Sequence, residues 1–103
     1  MSRPPGWQNP ITATPGQMQG GIDPRQLLPA RRDLIRTRLE FQWALLRSGR
    51  QRFTPIQVTP DGVIRDGHHA VRAAAEEGAT VDVLVVNDKV SPAGPDILAL
   101  PVR

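Results

Sequence analysis

The sequence predicts a small α+β domain, a mixed sheet with a β-hairpin and two main helices, and three observations carry that prediction. Apolar residues recur at helical spacing over residues 33–48 and stop at Gly49. Residues 54–59 alternate like a strand, and Pro60-Asp61-Gly62 then turns the chain back into Val63 and Ile64. An Ala-rich helix is expected from Gly67 to about Glu77, ending at Gly78, and the apolar strand 80–86 follows it.

The first 22 residues hold four prolines and four glycines and show no period of 2 or 3.6. Residues 1–21 are therefore expected to be extended and mobile, and residues 22–103 to be the domain. Residues 22–29 read as a short strand or turn leading to Arg31 and Arg32. In the helix over 33–48, Leu34, Phe41 and Leu45 fall on one side, and Ile35, Leu39, Trp43 and Leu46 widen it into a stripe. Arg38 and Gln42 interrupt that stripe. Arg38 either snorkels over the core edge or reaches toward the start of the second helix.

In the hairpin, Ile56 and Val58 are expected to point inward, while proline presets φ and Gly62 accepts positive φ. Ala70, Ala73, Ala74 and Ala75 leave a thin surface that lets the second helix lie close to the sheet. Strand 80–86 is apolar on both faces, as expected of a central strand covered on each side. Residues 87–95 read as loop, and residues 97–100 as a last edge strand before Pro101.

Composition narrows the chemistry. A chain of 103 residues builds one modest core. Its 13 Lys+Arg include one lysine, Lys89. Arginine grips phosphate in a planar fork, so the bias fits a phosphate-bearing partner; it also fits a GC-rich genome. Zero cysteines exclude disulfides, thiolate metal sites and cysteine nucleophiles. No apolar run approaches the ~20 residues that span a bilayer, and no Sec-type signal is visible. The expected setting is cytoplasmic, with secretion as part of a larger chain left open.

The chemistry gathers where the hairpin meets the second helix. Asp66-Gly67-His68-His69 places both histidines of the chain on a first helical turn, whose free N–H groups carry partial positive charge. Asp66 is expected to cap that helix. The helix field disfavours imidazolium, so a neutral imidazole there can act as base or donor near pH 7. His68 and Arg72 lie four residues apart on one face and together could cradle a phosphate. Asp66 with one histidine could hold a divalent ion such as Mg²⁺, although helical metal pairs usually stand at i, i+4. No Ser-His-acid set, P-loop or dinucleotide glycine pattern is present.

Pro55-Ile-Gln-Val, then Asp61-Gly-Val-Ile-Arg-Asp-Gly-His-His-Ala-Val-Arg-Ala-Ala, then Val81-Asp-Val-Leu-Val-Val resembles the ParB/sulfiredoxin superfamily over residues 22–87. The resemblance implies phosphate or nucleotide handling over residues 67–72, with residues 22–32 similar to the family's first strand and basic box. Partition proteins of that family carry Gly-Glu-Arg-Arg where this chain reads Gly67-His68-His69-Ala70. The sulfiredoxin cysteine would fall at His68, and kinase-like members carry an arginine where this chain has Ala70. Small stand-alone or toxin-tail members, labelled ParB-like nucleases, match best.

The expectation is thus a nuclease-like phosphodiesterase, a possible bacterial toxin effector module. Asp66 would position a metal, water or histidine, His68 or His69 would act as general base or acid, and Gly67, Arg72, Arg31 and Arg32 would hold phosphate. A CTP- or ATP-binding hydrolase, kinase or switch using the same turn is the first alternative. A non-catalytic nucleic-acid or protein-binding module is the second. Expected partners are nucleic acid or a nucleotide, with an immunity protein or larger delivery protein in the toxin reading.

Overall fold

The computed structural model describes residues 6–49, 55–94 and 96–103. They form β1 (Met18–Ile22), α1 (Arg36–Ser48), β2 (Ile56–Val58), β3 (Ile64–Asp66), α2 (His68–Glu77) and β4 (Val81–Val85). Short 3-10 turns lie at Pro24–Gln26 and Ile97–Ala99. Parts of the expected N-terminal segment, hairpin and late loop (residues 1–5, Thr54 and Pro95) lie outside the described residues.

The four strands make one mixed sheet in the order β1-β4-β2-β3. β2 and β3 form the antiparallel hairpin, β4 runs parallel to β2, and β1 runs antiparallel to β4. The fold is therefore α+β, with β4 central as its apolar sequence predicts. Its expected two-sided burial is not found. Val81, Val83 and Val85 are buried, whereas Asp82 is exposed and Leu84 half-buried. Only one face of the sheet is fully covered, and β4 alternates accordingly.

The covered face meets α2. Ala70, Val71, Ala74 and Ala75 pack in one cluster with Ile56, Val58, Ile64, Val83 and Val85. Each fully buried valine contributes about 1.5–3 kcal/mol, and alanine on the facing helix lets the backbones come close enough to bury them. Gly67 precedes α2 at φ 101° and Gly78 follows it at φ 70°, and both backbone conformations favour glycine. Asp66 is not the cap. It is the last residue of β3, and α2 has no side-chain cap bond.

α1 starts three residues later than Asp33, at Arg36. Leu34 is held extended beside Val102 in a parallel bridge, donating to Pro101 O at 2.9 Å and accepting from Arg103 N at 2.8 Å. Along α1 only Leu39 is buried. Phe41, expected within the apolar stripe, is 62% exposed. Residues 97–100 do not form an edge strand: Ile97–Ala99 is a 3-10 turn in which Asp96 accepts from Leu98 N.

The expected boundary at residue 22 falls at the end of a strand that already begins at Met18. Ahead of it, the chain is extended but tied to the domain. Trp7 Nε1 donates to Gln26 O, and Asn9 Nδ2 donates to Pro60 O. The Gln19 amide accepts from Thr12 N and Ala13 N and donates to Pro10 O. Ile11 belongs to the core cluster.

Candidate functional site

A cleft of about 340 Å³ opens at the start of α2. Asp66, Gly67, His68, His69 and Ala70 form one wall, Thr37, Arg38, Phe41 and Gln42 of α1 the other, and Arg31 also lines it. The hairpin delivers this wall. β3 ends at Asp66, Gly67 turns the chain at positive φ, and the helix begins immediately. The first bond back into that helix is Val71 N to Gly67 O, at 3.0 Å. The amides of His68, His69 and Ala70 come before it, so helix geometry leaves them without an intrahelical acceptor. They bring partial positive charge to the cleft, and Arg31 and Arg38 add full charges.

The two histidines are buried, at 6% and 8% exposure. His68 Nε2 accepts from Ala30 N at 2.9 Å, and His69 Nε2 accepts from Ile35 N at 2.9 Å. A nitrogen that accepts an N–H bond carries no proton, so each neutral ring holds its proton on Nδ1. Burial pushes the His68 pKa down to about 4, aided by Arg31 and His69 and opposed by Asp66. Burial, Arg31 and Arg38 lower that of His69. Near pH 7 both rings are neutral.

This changes the role expected of them. The lone pair that a general base would use is bound to a backbone amide, and a protonated imidazole acting as general acid is disfavoured by burial and two guanidinium groups. The imidazoles anchor the preceding segment. Their one remaining polar group is the Nδ1–H donor, which suits hydrogen bonding to an oxyanion better than proton transfer.

The expected phosphate ligands divide. Gly67 and Arg31 line the cleft; Arg72 and Arg32 do not. Arg72 is turned to the other side of α2, where it donates to Ile97 O at 3.0 Å and Leu100 O at 2.9 Å and pairs with Glu76. It clamps the C-terminal segment. Although Arg72 lies on the same helix as His68, the carbonyls it satisfies are on a 3-10 turn whose position the i, i+4 spacing does not report. Arg32 is exposed.

Sequence reasoning missed Thr37, Phe41 and Gln42 as site residues, and left Arg38 between two roles. Their spacing held a usable signal, since 37, 38, 41 and 42 share one helical face on which an arginine and an amide interrupt apolar positions. Among the described residues no cluster of three or more His, Cys, Asp or Glu side chains could hold a metal, and both Nε2 lone pairs are engaged. Nor is any described helix long and apolar enough to cross a membrane. No family model, curated protein or solved structure matches the chain.

Proposed function

We propose that this is a phosphate-ester-binding domain of ParB/sulfiredoxin-like character, whose cleft takes a nucleotide or the phosphate and base of a nucleic-acid strand. The observation that carries the reading is the company kept in one cleft. Arg31, Arg38 and the residues of the first turn of α2 line it, together with Phe41 and Gln42. The first group suits phosphate oxygens through charge-assisted bonds. Phe41, 62% exposed, offers a ring face on which a base can stack. A volume of about 340 Å³ accommodates more than inorganic phosphate.

Calorimetry with CTP, ATP and short single-stranded oligonucleotides at pH 7.5 tests this. Micromolar binding of one of them, weakened at least tenfold in Arg31→Ala and Arg38→Ala, is the expected result. Binding that neither substitution weakens would refute it.

The second reading is a phosphodiesterase, the nuclease expected from the sequence. Asp66 favours it, because its exposed carboxylate lines the cleft and can take the base role that the imidazoles do not fill. Cleavage of plasmid or RNA that is lost in Asp66→Asn and kept in His68→Gln would select this reading. A toxin role would add growth arrest on expression in bacteria.

A further inference from the structure

Two neighbouring side chains, His68 and His69, each accept a backbone N–H from the same short stretch of chain, at Ala30 and at Ile35. That stretch carries Arg31, which lines the cleft. Other bonds hold it at either end: Pro29 O accepts from Ala93 N, and Leu34 exchanges two bonds with Pro101 and Arg103. Between those two anchors, among the described residues, the His68 bond to Ala30 holds the backbone of residues 30–33 to α2, and the Asp33 side chain is ion-paired to Arg103 of the C-terminal segment. The His69 bond secures Ile35, the residue that precedes the first turn of α1.

We propose that His68 and His69 form an acid-released latch: as neutral acceptors they hold residues 30–35 against the start of α2, and on protonation they let that segment, and Arg31 with it, leave the cleft. A protonated Nε2 carries its own hydrogen and faces the amide as donor against donor, so the attachment is lost outright rather than weakened.

The surroundings set the direction of the switch. His68 faces Arg31 from the segment itself, His69 from its own helix and Asp66 from β3. His69 faces Arg31 and, from α1, Arg38. One carboxylate opposes two guanidinium groups, and both rings are buried, so the neutral, latched state dominates near pH 7. With a free-ring pKa near 6.5 and a latched His68 value of about 4, the open fraction rises as pH falls through that window. The consequence for ligand rests on the binding reading above; the latch itself does not.

Hydrogen exchange followed by NMR on the ligand-free protein decides it, with rates corrected for their intrinsic pH dependence. Protection of the Ala30 amide should drop roughly a hundredfold between pH 7 and pH 4, and that of Ile35 in the same direction, with both staying well below that of Val83 in β4 at each pH because the segment opens without global unfolding. In His68→Gln and His69→Gln, whose amide oxygen is an acceptor that does not titrate, the drop should vanish. Constant protection of Ala30 and Ile35 in the wild type, or protection equal to that of Val83 at each pH, would overturn the latch. CTP and ATP titrations at pH 7.5 and pH 5 then separate the two ideas. Opening without nucleotide affinity at either pH leaves the latch standing and removes the binding reading. Binding with unchanged protection does the reverse.

Discussion

His68 and His69 are the residues on which chemistry and stability meet. In sequence they read as a catalytic pair, because nothing in adjacent letters reports that their acceptors will be used by amides more than 30 positions earlier. Backbone N–H groups carry no side-chain signature, so this pairing was not legible. Its energetic sign is clear once the partners are known. The folded state lowers the His68 pKa from 6.5 to about 4. Above pH 6.5 the ring is neutral in both states and its stabilising contribution is complete. As pH falls from 6.5 to 4, the unfolded chain takes up a proton that the native one refuses, and stability declines. The loss approaches about 3 kcal/mol, which urea unfolding of the wild type at pH 7 and pH 4 should register and His68→Gln should largely abolish. At pH 7, His68→Ala strands the Ala30 amide and should cost about 1–3 kcal/mol. Arg72 belongs to the same scale. Arg72→Ala removes two carbonyl bonds and an ion pair from a side chain that is only 13% exposed. It should lower stability by about 2–3 kcal/mol with nucleotide affinity unchanged, because Arg72 lies outside the cleft. A tenfold loss of affinity in a folded Arg72→Ala protein would contradict that placement.

At the scale of elements, punctuation was the readable part. Gly49 and Gly78 end their helices at φ 73° and 70°, and Pro60-Asp61-Gly62 turns the hairpin as its residues require. Period did not serve β4, which reads as apolar on both faces but alternates buried valines with exposed Asp82 and half-buried Leu84. What resisted reading were elements fixed by distant partners. Residues 33–35 stay extended because Val102 lies beside Leu34, and residues 9–13 are held by side-chain amides, with Gly16 and Gln17 bonded through their backbone to Val85 of β4. That strap makes Gly62 informative. Its φ is +81°, and an added Cβ would stand 2.7 Å from Asn9 Oδ1 and 3.4 Å from Trp7. Gly62→Ala should destabilise the domain by about 1–2 kcal/mol and release the strap, with faster proteolysis ahead of Met18 and red-shifted tryptophan emission. Unchanged emission would show that the strap is not held at this turn.

Across the whole molecule, fold and site were legible to different depths. The α+β order, the hairpin and the central strand follow from patterns local to each segment, and so does the glycine turn at Gly67 that feeds α2. The opposite wall of the cleft was not legible, because Arg38 and Phe41 come from a helix whose own periodicity suggested burial. The net charge of +3 is modest, so the proposed phosphate binding rests on local placement of Arg31, Arg38 and the helix amides rather than on a global field. Binding to an oligonucleotide should therefore weaken with salt by a small slope, near that of two neutralised phosphates. The central claim is that a phosphate docks where α2 begins. The most direct test is an amide chemical-shift titration of the isotopically labelled protein with CTP and ATP at pH 7.5. The account predicts saturable shifts confined to Arg31, Asp66, Gly67, His68, His69, Ala70 and the cleft-facing residues of α1, and absent from the far end of α2 at Glu77. Shifts clustered elsewhere, or none at millimolar nucleotide, would contradict it.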